Sequence, residues 1–278
     1  IDTFQDILSH SAANVYAVTS LERLLPTVED WNGLLAVYER KKSLFADPRA
    51  RAEVDFQIGQ LLYDRLEQPE SALEAFRLVL LTDATHQETV QYLERMLDDA
   101  SLRMAASFAL EPIYEATGND AALVSLLDRQ IADTADSDDR VHLLKRIARL
   151  RFDKLSEGSA AMEALRDAII LSPADTELHD QITSVAEATE SYDALADALE
   201  AALGSTSDND TIVALNGWLG RLYEDKLTNY ELAIERWRDA LSYDPSLSDA
   251  LQALARLLER EERWDELVDI QRQELSNT

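Results

Sequence analysis

Leu219-Gly-Arg-Leu-Tyr-Glu-Asp-Lys-Leu227 decides how this chain is read, because it returns twice in altered form, as Ile58-Gly-Gln-Leu-Leu-Tyr-Asp-Arg-Leu66 and Ile147-Ala-Arg-Leu-Arg-Phe-Asp-Lys-Leu155. The register holds downstream of all three. Ala72, Ala161 and Ala233 correspond, as do Phe76, Leu165 and Trp237, and then Val79, Ala168 and Ala240. Pro173 matches Pro245, where the first copy has Ala84. A second kind of segment also recurs. It reads Leu21-Glu-Arg-Leu-Leu-Pro-Thr-Val-Glu-Asp-Trp-Asn-Gly-Leu34 and Leu254-Ala-Arg-Leu-Leu-Glu-Arg-Glu-Glu-Arg-Trp-Asp-Glu-Leu267, with weaker copies at 110–123 and 182–195. Trp31, Asp120, Tyr192 and Trp264 fall at one position of it.

The spacings of the two segments check each other. Leu66 to Leu155 is 89 residues and Leu155 to Leu227 is 72; Trp31 to Asp120 is 89, and the next two intervals are 72 each. A fixed period of this size marks a repeat architecture built from supersecondary units. One pair of units takes 72 residues, with one insertion of 17 between about Asp98 and Leu110. The inserted stretch, Asp99 to Phe108, reads as helix, and Pro112 beyond it is placed to bend or break the run.

Each unit reads as helix, short turn, helix. In the best copy the first helix is expected over roughly Thr211 to Lys226, with Asp210 as N-cap. The second is expected over Tyr230 to Tyr243, stopping before Pro245. Pro69 sits where a first helical turn tolerates it. Gly59, Ala148 and Gly220 share one position, where a minimal side chain lets a neighbouring helix come close. Trp31, Phe76, Tyr192, Trp237 and Trp264 fall at apolar repeat positions and are expected in the core.

Composition agrees. The 278 residues are 46% hydrophobic, with only 7 Gly and 6 Pro, too few for the turns a sheet protein of this length needs. Apolar residues recur with helical spacing throughout, which argues against disorder. There is no cysteine, so disulfides, thiolate metal sites and cysteine nucleophiles drop out. No apolar run approaches the roughly 18 residues of a membrane span, and no signal peptide is visible. The chain starts at Ile1 without an initiator methionine, which fits a processed protein or a piece of something longer. The formal net charge of −28 repels phosphates and anionic membranes and favours basic partners. The compartment is not fixed; cytosol is favoured over periplasm.

At these residues the chain resembles the tetratricopeptide repeat family. Gly220, Tyr223, Ala233, Trp237, Ala240 and Pro245 meet the family's order of a small residue and a tyrosine, then small, aromatic, small and proline. One residue is added between the two helices. The copy at Ala148 departs, with Arg151 where Tyr223 sits, and the alternate units carry Leu34, Leu195 and Leu267 where the small residue belongs. The resemblance implies an all-α, right-handed superhelical solenoid over 1–278. It has about seven hairpins, near 12–47, 50–83, 85–134 with a helical insertion around 98–115, 138–172, 175–205, 208–244 and 247–277. It looks similar to a segment of the long acidic repeat arrays of bacterial proteins.

No catalytic or metal constellation emerges, and no cofactor is implied. His10, His86, His142 and His179 make no pair at helical metal spacing. Asp136 to Asp139 and Asp208 to Asp210 lack the calcium-loop pattern and fall at turns, where Asp caps the next helix. One stretch departs from the acidic background: Arg140-Val-His-Leu-Leu-Lys-Arg-Ile-Ala-Arg-Leu-Arg151 has five formal positive charges and no acid. The position after the small residue, which the resemblance places in a concave groove, holds Arg23, Gln60, Arg95, Arg149, Ser184, Arg221 and Arg256. Lys145 shares a face with Arg149.

Two readings of these cations stand side by side. They bind carboxylates of a partner peptide, or they pair with Glu and Asp of adjacent helices, as Glu224 and Glu259 allow. Trp218, off the best apolar stripe, is a candidate anchor. The function expected is a non-enzymatic scaffold binding a protein segment through Lys145, Arg149, Arg221, Arg256, Trp218 and Arg95, without nucleic acid or membrane insertion. The alternatives are a regulatory or targeting module of a larger protein and a self-associating structural solenoid.

Overall fold

The structure is a computed structural model that describes residues 1–11 and 13–276. Residues 12 and 277, at which the first and last expected repeats begin and end, lie outside them. Among the described residues there are sixteen α-helices, one 3-10 helix (Leu25–Val28) and no strand. The helices are α1 (Asp2–His10), α2 (Val15–Leu24), α3 (Trp31–Leu44), α4 (Pro48–Asp64), α5 (Pro69–Thr82), α6 (Gln87–Met96), α7 (Arg103–Thr117), α8 (Asp120–Asp133), α9 (Ser137–Asp153), α10 (Gly158–Leu171), α11 (Thr176–Thr189), α12 (Tyr192–Ser205), α13 (Asn209–Asp225), α14 (Tyr230–Tyr243), α15 (Ser248–Arg260) and α16 (Trp264–Ser276). The chain divides into two compact units, Ile1–Leu126 and Leu127–Thr278, with α8 running across the division. Within the first, each helix from α1 to α7 packs on the next; within the second, the same holds from α9 to α16.

Backbone turns mark the hairpins. Seven residues have φ between 50° and 67°: Glu29, Glu67, Gly118, Ser156, Glu190, Thr228 and Glu262. They fall into two sets with the sequence periods of 89 and 72, one residue per hairpin. In one set the amides of Leu66, Leu155 and Leu227 donate to the carbonyls of Leu61, Leu150 and Leu222. In the other, Asp30, Asn119, Ser191 and Arg263 donate to Leu25, Tyr114, Ala186 and Leu258. The last carbonyls of each first helix are thereby satisfied, and the chain reverses. Six of these seven positions hold a residue with a Cβ, which disfavours the left-handed conformation by about 1–2 kcal/mol each.

Packing within a hairpin turns on one close approach. A Cβ placed on Gly59 would lie 2.5 Å from the Phe76 ring, and one on Gly220 would lie 2.7 Å from the Trp237 indole. Both rings are almost wholly buried. The small residue therefore makes room for the aromatic of its own second helix. In the middle copy, where Ala148 stands in place of glycine, Leu165 stands in place of the ring. The pair changes together, conserving volume.

Helix starts follow side-chain caps. Asp47, Asp136 and Asp208, at one repeat position, accept hydrogen bonds from the opening amides of α4, α9 and α13. The α13 cap is thus Asp208, not the expected Asp210, because the helix begins two residues earlier, at Asn209. The second helix runs Tyr230–Tyr243 as expected, and Pro69 opens α5.

The insertion splits a helix. By repeat position α6 begins where α11 begins, and α7 ends where α11 ends. The added residues supply the turn at 97–102 and the first turns of α7, so only part of Asp99 to Phe108 is helical. Pro112 does not break the run, since α7 continues through it to Thr117. Phe76 and Trp237 are core, and Trp31 and Tyr192 are half-buried, but Trp264 is 56% exposed. Trp264 opens α16, and no described helix lies over that face. Among the described residues no helix is long and apolar enough to cross a membrane.

Two outcomes are expected from this packing. Gly220→Ala should lower stability by about 1–3 kcal/mol in chemical denaturation. Adding Trp237→Leu, which reproduces the Ala148–Leu165 pair, should make the loss less than the sum of the single changes. Thr228→Gly should raise stability by about 0.5–1 kcal/mol, because relief of the left-handed threonine exceeds the added freedom of the unfolded chain.

Candidate functional site

In the second unit, successive first helices α9 and α11 flank a cleft of about 310 Å³. Ala148, Leu165 and Val185 form its apolar part; Arg149, Asp153, Asp180, Gln181 and Ser184 supply its polar groups, with Phe152 beside them. A second cleft, of about 290 Å³, lies between α13 and α15, lined by Gly217, Trp218, Arg221, Trp237, Leu247 and Asp249 among others. Arg149 and Arg221 are the same repeat position, as are Leu165 and Trp237.

The cations differ in what they touch. Arg221 on α13 donates to Asp249 on α15 at 2.8 Å and lies over the Trp237 ring at 5.7 Å. Arg256 on α15 grips Glu224 on α13 with two bonds of 2.8 Å. Lys145 on α9 is buried and donates to Asp175 at 3.2 Å and to Glu177. Burial alone would lower the Lys145 pKa; the hydrogen bonds from its ammonium to Glu177 and Asp175 outweigh that and raise it. Asp175 likewise resists the upward push of burial and is lowered, chiefly by Lys145. The stabilisation is therefore present between the ordinary carboxylate and lysine ranges. It is lost as pH falls through the depressed Asp175 value or rises through the raised Lys145 value.

Arg149 is exposed and makes no hydrogen bond or ion pair with the described residues. The repeat explains why. Asp249, which holds Arg221, corresponds to Glu177, and Glu177 is taken by Lys145. Position 145 itself corresponds to Gly217, which has no side chain to compete for Asp249. One lysine in place of a glycine thus frees one arginine.

The remaining sequence candidates lie as follows. Trp218 is half-buried, with its ring 4.6 Å from the His179 ring. His179 Nε2 donates to the Pro173 carbonyl at 2.8 Å, which fixes that ring. Arg95 on α6, in the first unit, lies over Tyr92 at 5.1 Å. The structure therefore brings Lys145 and Arg149 together on α9 and places Trp218 with Arg221 in the second cleft. Lys145, Arg221 and Arg256 are already neutralised by carboxylates of neighbouring helices. Sequence reasoning missed Asp153, Asp180 and Gln181. The available signal was helical spacing, since Asp153 follows Arg149 by four residues and Ser184 follows Asp180 by four. Among the described residues no cluster of His, Asp and Glu could hold a metal ion.

These features define a helical-repeat protein whose first helices line clefts. Residues 250–278 match the family model of the tetratricopeptide repeat, and the other hairpins of the chain recur with the period in which that matched segment stands. Crystal structures similar to it include MamA, at 19% identity over 59% of this chain and 91% of that one, with a TM-score of 0.36. Others are a thermophilic TPR protein of Thermus thermophilus (19%, 74% and 98%, TM-score 0.28) and yeast Tom70 (14%, 90% and 55%, TM-score 0.34). No curated protein sequence matches the chain.

Reversing charge at the two α9 cations should separate their roles. Lys145→Glu, which sets a third carboxylate beside Asp175 and Glu177, should lower the melting temperature clearly. Arg149→Glu should change stability by no more than about 0.5 kcal/mol, as for an exposed site without partners. Thermal denaturation of both variants checks this.

Proposed function

We propose that the chain is a protein-interaction scaffold that holds a segment of a partner protein across the α9–α11 cleft. Arg149 takes a carboxylate of that segment, and Ala148, Leu165 and Val185 receive an adjacent aliphatic side chain. The observation that carries this reading is the unpaired Arg149 in a chain with 54 acidic and 26 basic residues. In such a chain an arginine beside a free carboxylate pairs readily, as Arg221 and Arg256 do. An arginine held over an apolar floor without such a partner is available for a carboxylate from outside, which its planar fork can take with two hydrogen bonds.

Asp153 and Asp180 at the rim set the selectivity. They disfavour a segment with several clustered acids and favour one carboxylate flanked by neutral or basic residues. The cleft with Trp218 lies two hairpins further along the chain, and the Trp218 ring, held against His179, offers an apolar face there. The role is binding; none of these groups forms a nucleophile–base pair.

The test is selection of displayed random peptides on the full chain. Wild-type protein should enrich peptides with one Asp, Glu or terminal carboxylate next to an aliphatic residue, and Arg149→Glu should lose that enrichment while keeping its circular dichroism spectrum. Enrichment of the same peptides by both proteins would refute the assignment.

A further inference from the structure

One repeat position holds Phe56 in the first long hairpin, Lys145 in the second and Gly217 in the third. Each stands three residues before the small residue of its first helix, Gly59, Ala148 or Gly220. Phe56 is buried. Its ring packs against Phe76 at 6.0 Å, His86 at 4.7 Å and Tyr92 at 6.0 Å, so it fills the space between α4 and α6 beside the Phe76 ring. Lys145 is buried at the corresponding place, with its ammonium on Asp175 and Glu177. Gly217 has no side chain to put there.

The third copy has the cleft of about 290 Å³ between α13 and α15 instead. Its walls match those around Phe56: Trp237 stands for Phe76 and Leu247 for His86. An apolar cavity of about 150 Å³ already holds a benzene ring. The polar wall carries no uncompensated charge, because Arg221 donates to Asp249 at 2.8 Å. Glycine is a poor helix former, and seating Trp237 does not explain it at this position. A Cβ on Gly217 would meet the Trp237 ring at 3.3 Å, against 2.7 Å for one on Gly220. The chain itself thus shows what fits beside the floor ring of this groove: where the position carries an apolar side chain, that side chain is a phenyl ring.

We propose that the cleft at Gly217 takes a phenylalanine or tyrosine side chain from a segment of a partner protein, in the place that Phe56 fills in the first copy. Trp237 is the floor, and Trp218 and Leu247 are apolar walls against which an aromatic ring packs edge-on or offset. The Arg221 guanidinium, already over the Trp237 ring at 5.7 Å, lies within reach of the incoming ring face. A second copy of the chain is disfavoured as the source of the ring by the formal charge of −28 on each copy. The inference rests on the scaffold reading for the kind of partner, but not on Arg149.

The test is selection of displayed random peptides on the full chain, followed by fluorescence anisotropy of the selected peptide, synthesised and dye-labelled. Wild type and Arg149→Glu should both enrich peptides with Phe or Tyr at one fixed position, which separates this site from the Arg149 cleft. Replacing that aromatic residue with Ala should weaken binding about tenfold or more. Gly217→Phe, which restores the ring of the first copy, should abolish the enrichment. Ala214→Glu, at an exposed position in the cleft wall, should weaken the peptide about fivefold or more, because the bound ring would desolvate the new carboxylate. Circular dichroism checks both folds, and Ala214→Glu decides alone if Gly217→Phe does not fold. Absence of aromatic enrichment by wild type overturns the proposal, as does equal binding by wild type and the folded variants. Aromatic enrichment that Arg149→Glu abolishes overturns it in favour of the α9–α11 cleft. A mass that doubles with concentration in light scattering of the chain alone, and that Gly217→Phe or Ala214→Glu abolishes, overturns it in favour of a second copy.

Discussion

An aromatic ring seated against a backbone that carries no side chain sets the distance between the two helices of the best-formed hairpins, and much else follows from that distance. Phe76 against Gly59 and Trp237 against Gly220 bring the helix axes close enough for alanines on the second helix to pack. The same rings, or Leu165 in the middle copy, then become the floor of the space between consecutive first helices. Core packing and groove formation are therefore one event. A change of volume at the lock alters the depth of the cleft as well as stability.

Charge shapes the groove differently. With about two acids for every base, ion pairs between first helices are the default state of a cation in this chain. Arg256–Glu224 and Arg221–Asp249 are surface pairs, each worth no more than about 1 kcal/mol. Their larger effect is to remove those arginines from the recognition surface. Lys145, by competing for Glu177, keeps Arg149 out of this default.

Much of the fold was legible because it rests on period. The recurrence of Leu219–Leu227 at 58–66 and 147–155 fixed the hairpins, and helix 230–243 was placed to the residue because Pro245 ends it and the apolar spacing begins at Tyr230. The left-handed turn residues were not legible: glutamate at 29, 67, 190 and 262 carries none of the conformational preference that glycine announces at 118. The α13 cap was misplaced because Asp208 and Asp210 are chemically equivalent candidates in one short run. The positions of the site cations could be read, but their partners could not. Arg221 and Asp249 are 28 residues apart on different helices, and nothing in helical spacing says which of several carboxylates a long side chain reaches. The exposure of Trp264 escaped for a related reason, since a repeat pattern describes what a residue offers to a neighbour and not which of the described helices meets it.

The turn geometry bears on evolvability. Each hairpin reverses through one residue at positive φ, and six of seven such positions are occupied by side chains that gain nothing from it. The reversal is imposed by the hydrogen bonds and helix packing on either side, so the identity of that residue is nearly free to drift. A lineage can change the surface chemistry of every turn, adding charge, a modification site or an insertion, while the hairpins beneath keep their geometry. The stretch between α6 and α7 shows the same tolerance within a helix: added residues divide it, and both pieces keep the ends that the repeat requires.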